Sequence, residues 1–155
     1  MSKAYDKVEW EFLEVVMGRM GFAPNWIKLV MMCVSTTQYM VLVNGVPTRR
    51  IISTWGIRQG DPLSSYLFLI CAEVLSSLLS KADREGVLTR VPTSRRGLHI
   101  NHLFFADDNL LFCRAHLDHW SQLFNILKSY ETASRQKLNN SKTTIYFSRN
   151  TSMAT

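Results

Sequence analysis

The stretch His102–Leu103–Phe104–Phe105–Ala106–Asp107–Asp108–Asn109–Leu110–Leu111–Phe112 sets an adjacent pair of acids between two apolar runs. Each run has the length and composition of a strand, and Asp-Asp-Asn suits the turn between them. The expectation is a tight hairpin carrying two carboxylates at its tip. Neighbouring carboxylates repel each other. A raised pKa on one acid or a bound divalent cation offsets the repulsion. Magnesium is the cation this chemistry suits, since it favours one or two carboxylates plus substrate phosphates. The same residues also make an ordinary solvated acidic turn, and on this stretch alone that plainer reading is the stronger.

Upstream of the hairpin, Trp55–Gly56–Ile57–Arg58–Gln59–Gly60–Asp61–Pro62–Leu63–Ser64 reads as a loop feeding a helix. Its two glycines free the backbone for close approach to a ligand. Asp61 suits the N-cap and Pro62 the first helical position. The helix should run to about Lys81, with Leu67, Phe68, Ile70, Cys71, Val74, Leu75, Leu78 and Leu79 burying a wide face. Before the loop, Gln38–Val43, Asn44–Gly45 and Arg50–Trp55 spell a hairpin, bulged or irregular because of Pro47. Arg49 and Arg50 suit either a phosphate backbone or a solvated hairpin end.

At the start of the chain, Ala4–Val8 reads as the tail of a strand running into a helix. Trp10, Leu13, Val16, Met17 and Met20 form one face of that helix, and Gly21 ends it. Pro24 opens a second helix to about Val34, with Trp26, Ile27, Val30, Met31 and Val34 as its buried stripe. Past the acidic hairpin, His116 to about Gln136 is an amphipathic helix whose apolar face is Leu117, Trp120, Leu123, Phe124, Leu127 and Tyr130. Lys137–Thr143 is a turn and Thr144–Phe147 a last short strand. Ala82–Gly97, with Arg84, Arg90, Arg95 and Arg96, is a basic surface connection. Helices packed on one face of an antiparallel sheet, with the other face open to substrate, make an α+β architecture.

Composition narrows the class. The 155 residues suit one domain, and 46% hydrophobic residues argue against disorder. Lys plus Arg outnumber Asp plus Glu by 18 to 12, a net charge of +6 that is compatible with nucleic acid. Cys33, Cys71 and Cys113 are an odd number without a Cys-x-x-Cys spacing, which reads as reduced, buried thiols and an intracellular setting. No apolar run approaches the roughly 18 residues of a membrane span, and Met1–Asp6 lacks the apolar stretch of a secretory signal.

The constellation resembles the palm subdomain of reverse transcriptases from non-LTR (LINE-type) retrotransposons. Ser2–Val8 looks like the C-terminal half of motif A and Gly56–Ser64 resembles motif B. Phe105–Ala106–Asp107–Asp108 resembles motif C, and Leu138–Thr143 motif D. The four occur in the family's order across nearly the whole chain. A group II intron maturase is a sister reading, but Ser2–Asp6 fits the LINE type better. The resemblance implies a polymerase palm over residues 1–147 and a frayed tail over 148–155, with fingers and thumb lying outside.

The implied reaction extends a DNA primer on an RNA template with nucleoside triphosphates, by two-magnesium nucleotidyl transfer. In it Asp107 is a metal ligand and Asp108 its less direct partner. Tyr5 matches the aromatic gate under the sugar. Arg58, Gln59 and Gly60 match the segment that meets the incoming nucleotide and template. Lys142 matches the lysine near the departing pyrophosphate, a proton donor, and Asp6 a structural residue. Family membership implies action at nuclear DNA, although the sequence carries no clear nuclear-import run.

The chain departs from the family in three places. The first motif A aspartate would fall just before Met1, so polymerase activity from these residues alone is expected to be negligible. Phe105 stands for the commoner Tyr, and Ser65 for a frequent Pro. Two other expectations are therefore carried alongside the enzyme. One is a nucleic-acid-binding remnant without catalysis, motivated by Arg84, Arg90, Arg95 and Arg96; the other is a gene fragment without function.

Overall fold

The computed structural model describes residues 5–94, 97–105, 108–149 and 151. Helices and short antiparallel ladders alternate along two compact units, one over Tyr5–Cys71 and the other beginning at Ala72.

The first unit opens on a 3₁₀ turn, Tyr5–Lys7, where the sequence suggested the tail of a strand. Its bonding explains the difference: the backbone N–H of Val8 returns to the Tyr5 carbonyl, at 3.5 Å, and no strand partner claims it among the described residues. Helix α1 (Trp10–Arg19) buries Leu13, Val16 and Met17, at the spacing of one helical face. Met20, assigned to that face from its spacing, lies past the last helical turn and is exposed. Gly21, at φ +85°, closes the helix. Its N–H bonds the Gly18 carbonyl and that of Phe22 bonds Met17, both at 3.1 Å, which is a Schellman motif. Helix α2 (Pro24–Ser35) starts with proline at its first position and buries Ile27 and Val30. Trp26, expected in the stripe, is exposed, and Met31 and Val34 are half-buried.

The expected irregular hairpin follows. Strands β1 (Gln38–Tyr39) and β4 (Ile51–Ile52) form its base, and β2 (Leu42–Val43) and β3 (Val46–Pro47) its tip. Asn44 and Gly45 both take positive φ, 51° and 79°, the turn that matches strand twist. Two residues separate the ladders on the outgoing side and three on the return, so the return strand carries one extra residue. Pro47 has no N–H to continue the ladder; instead Thr48 donates from both its backbone N–H and its hydroxyl to the Val41 carbonyl, each at 2.8 Å.

Helix α3 (Pro62–Arg84) passes from the first unit into the second. Asp61 caps it as expected, accepting the Leu63 N–H on its carboxylate at 2.9 Å. Leu67, Phe68, Cys71, Leu75, Leu79 and Ala82 form its buried stripe. Ile70, Val74 and Leu78 are only half-buried, so the buried face is narrower than composition suggested. This is the one helix among the described residues long and apolar enough to cross a membrane, by length and composition alone. That qualifies the sequence reading of apolar runs. A one-sided stripe at three- and four-residue spacing is the pattern of a core helix.

In the second unit the basic connection holds a small hairpin that the sequence did not signal: β5 (Val91–Pro92) pairs with β6 (His99–Ile100). Strands β7 (His102–Phe105) and β8 (Asp108–Leu111) form the acidic hairpin in the register Phe105↔Asp108 and His102↔Leu111. Helix α4 (Leu117–Ser134) buries Leu123, Leu127, Tyr130 and Ser134. Leu117, Trp120 and Phe124, read as part of the same face, are exposed. Arg135 closes α4 at φ 57°, and Tyr130 donates its hydroxyl to Gln136 Oε1 at 3.0 Å. Thr144–Phe147 is not a strand; Ile145, Tyr146 and Phe147 are exposed, and no described strand pairs with them. The described strands thus make four separate two-stranded antiparallel ladders in place of one sheet. Of the three thiols, Cys71 is buried, Cys113 half-buried and Cys33 exposed, and none of them is in a disulfide.

Leu13 is fully buried, whereas Val15 on the opposite face of α1 is 55% exposed. Leu13→Ala is expected to lower unfolding stability by about 2–5 kcal/mol. Val15→Ala should stay within about 0.5 kcal/mol. Denaturant titration of both variants checks the orientation of α1.

Candidate nucleic-acid and nucleotide site

The chain's first described residues are stitched to the loop before α3. The Gly56 N–H donates to the Val8 carbonyl at 2.8 Å and the Ile57 N–H to the Tyr5 carbonyl at 2.9 Å. Trp10 closes the pair from α1, its indole Nε1–H donating to the Gly56 carbonyl at 2.7 Å. Backbone meets backbone here because position 56 has no side chain. A Cβ on Gly56 would lie 2.9 Å from the Asp6 carbonyl oxygen, and φ is +83°. Ile57 beside it is buried and anchors the loop.

This docking sets the Tyr5 ring. It stacks on Phe68 of α3, with centroids 4.7 Å apart and planes 20° from parallel. Tyr5 stays half-buried, one face packed and the remainder accessible. Arg58, Gln59 and Gly60 follow directly on the docked loop and are exposed. Gly60 sits at φ +87° with open space around its α-carbon, which allows a ligand close to the backbone. So the structure joins the segments of Tyr5 and of Arg58–Gly60 within one unit. Asp6 is exposed in the 3₁₀ turn.

The other predicted residues lie in the second unit. Asp107 lies outside the described residues. Asp108 is the first residue of β8, not part of the turn, because the Phe105↔Asp108 pair leaves only two residues between the strands. Alternation then separates two faces. Leu103, Phe105, Asp108 and Leu110 point outward and are exposed, while His102, Phe104, Asn109 and Leu111 are half-buried. Asp108 therefore presents its carboxylate on an open, largely apolar face, and among the described residues it forms no ion pair. No group of three or more His, Cys, Asp or Glu side chains converges on a metal position among the described residues.

Lys142 stands exposed in the turn after α4. Asn139 builds that turn: its carbonyl accepts the Lys142 N–H at 3.0 Å and the Thr143 hydroxyl at 2.9 Å. Its side-chain oxygen takes the Ser141 hydroxyl at 2.6 Å. The basic connection is less free than its sequence suggested. Arg90 is held by Asp83 at 2.7 Å, Arg84 is exposed, and Arg95 and Arg96 lie outside the described residues. Burial pushes the Cys71 thiol up to about 12, which makes it a core residue rather than a nucleophile. Burial also raises Cys113.

Sequence reasoning missed Trp10 and Phe68, reading both simply as core. The signal for Trp10 was its indole N–H, which needs an acceptor when its ring is packed.

A family model described as reverse transcriptase (RNA-dependent DNA polymerase) matches residues 1–153. An uncharacterized mitochondrial protein of Arabidopsis thaliana is 46% identical over 69 residues, covering 44% of this chain and 57% of that protein. The transposon TX1 uncharacterized 149 kDa protein of Xenopus laevis is 26% identical over 141 residues, 91% of this chain and 10% of that protein. The retrovirus-related Pol polyprotein from type-1 retrotransposable element R2 of Popillia japonica is 30% identical over 111 residues, 72% of this chain and 17% of that protein. The chain thus spans between a tenth and just over half of these relatives.

Gly56→Ala and Gly60→Ala separate strain from docking. Each is expected to lose about 1–2 kcal/mol from the left-handed backbone. Only Gly56→Ala adds the clash with Asp6, so its thermal unfolding midpoint should fall clearly further than that of Gly60→Ala.

Proposed function

This chain belongs to the reverse transcriptase (RNA-dependent DNA polymerase) family, and from that premise we propose that it forms the palm portion of a LINE-type polymerase. The observation that carries the reading is the docking of Tyr5–Val8 onto Gly56–Ile57, which sets an aromatic ring beside the exposed Arg58–Gly60. In this reading the Tyr5 edge bounds the sugar of an incoming nucleoside triphosphate and leaves no room for a 2′-hydroxyl. Phe68 holds the ring rigid from behind. Arg58 and Gln59 offer donors to phosphate and base, and Gly60 lets the template approach the backbone. RNA template and DNA primer are the macromolecular partners.

Asp107 and Asp108 would hold magnesium. Their donor chemistry fits, because two hard carboxylates on adjacent residues suit a cation that takes its other ligands from phosphates and water. When bound, the metal supplies charge stabilisation to the attacking and leaving oxygens. Lys142, on a turn stiffened by Asn139, would carry a proton toward the pyrophosphate. The family's first motif A aspartate precedes Met1 in this reading, so the 155 residues by themselves supply two of the three acids, Asp107 and Asp108. Loss of even one charge-stabilising group lowers rate by about 10²–10³.

Primer extension on an RNA template with magnesium tests the reading. Extension is expected only from a version lengthened upstream to include that aspartate, and Asp107→Ala should abolish it. Extension by the 155 residues alone that Asp107→Ala removes would instead give Asp6 the ligand role.

A further inference from the structure

The root of the acidic hairpin carries a polar connection to α3 that no motif of the family reading uses. Asn101, 6% exposed, sits between β6 and β7. Its side-chain Nδ2–H donates to the Leu79 carbonyl of α3 at 3.2 Å. That fixes its Oδ1 toward His102, whose Nδ1 lies 2.6 Å away. His102 reaches α3 a second time, with Nε2 3.1 Å from the Ser76 hydroxyl. Ser76 and Leu79 are three residues apart, hence one turn apart on the same face of the helix. Asn101 also accepts the Phe112 N–H on its backbone carbonyl at 2.8 Å, which closes the hairpin ladder at its base.

We propose that Asn101 and His102 are positioning residues, a two-point clamp that seats the acidic hairpin on Ser76 and Leu79 of α3. The donor pattern assigns the tautomer. Asn101 Oδ1 accepts, so Nδ1 of His102 carries a proton; in the neutral ring, the form burial favours, Nε2 accepts from the Ser76 hydroxyl. His102 lies three residue steps from the strand end at Phe105, about 10 Å at strand rise. A register fixed at the root therefore sets where the Phe105–Asp108 pair stands. The tilted contact of the His102 and Phe104 rings, with centroids 4.7 Å apart and planes at 39°, stiffens the start of that span. The consequence for Asp107 and Asp108 rests on the palm reading above, whereas the clamp does not.

Burial holds the His102 pKa below its ordinary 6.5; Glu73 on α3 opposes that shift and Arg90 adds to it. A folded pKa below the unfolded one favours the neutral form in the native state. The clamp's contribution is then complete above about pH 6.5 and declines as pH falls from there through the lowered native value.

Amide hydrogen exchange on the full 155-residue chain tests this. His102→Phe keeps the ring and removes both hydrogen bonds. Exchange over residues 102–112 should accelerate about tenfold, with α1 and α2 unchanged. His102→Asn retains the donor toward Asn101 and cannot titrate, so it should restore part of the protection and abolish its fall below pH 6.5. Ser76→Ala, which leaves the packing of α3 intact, should loosen the same segment more weakly. Unchanged protection in His102→Phe or in Ser76→Ala overturns the clamp, and an acid-dependent loss that persists in His102→Asn overturns the role of the neutral imidazole. Mn²⁺ broadening of the Asp108 and Asn109 amides reports on the tip separately. A hairpin loosened by the variants but untouched by Mn²⁺ in the wild type supports the clamp and overturns metal binding by Asp107 and Asp108 on their own.

Discussion

The contact between Tyr5–Val8 and Gly56–Ile57 governs what the first unit can present. It joins residues about fifty positions apart through backbone hydrogen bonds, at an approach so close that a Cβ on residue 56 would meet the Asp6 carbonyl. Glycine at position 56 is therefore a steric condition before it is a conformational one. Trp10 consumes the remaining carbonyl, so the loop's polar groups are spoken for on its inner side. What the loop has left over, Arg58 to Gly60, faces outward. A rigid underside and a free upper side are what a ligand-facing loop requires, because ordering it again on binding would cost affinity.

The strands behave differently from the helices. α1, α2, α3 and α4 each bury a stripe, but the ladders are two-stranded and expose large apolar side chains. Leu42, Val46, Ile52 and Phe105 are each more than 60% exposed. An isolated two-stranded ladder is marginally stable in water. The acidic hairpin has a four-residue ladder and a half-buried inner face, together with polar anchors at its root. Its outer face, with Asp108 among Leu103, Phe105 and Leu110, is left accessible.

Much of this was legible in order along the chain. Hydrophobic spacing placed all four helices, since a helix face repeats within a short window. Asn44–Gly45, Asp61–Pro62 and Gly21 marked turn, cap and stop by local backbone preference. Where side-chain burial depends on distant neighbours, the reading was poorer. Trp26, Trp120 and Phe124 repeat at helical spacing, yet they lie exposed because apolar periodicity does not say how wide a partner surface is. Thr144–Phe147 had strand composition, but a strand exists only through a partner's hydrogen bonds.

Sequence by itself determined the family, through four short motifs in a set order, and with it the residue types available at the site. It determined that Gly56 and Gly60 are both permissive. Only the tertiary structure distinguished them: one glycine is filled by the Asp6 backbone, while the other opens on free space. Only the tertiary structure turned Asn101 and His102 from hairpin flanks into a bridge to α3. The physical reason is the same in both cases. Local conformation follows from neighbours a few residues away, whereas a hydrogen bond between distant segments depends on which surfaces the fold brings within about 3 Å.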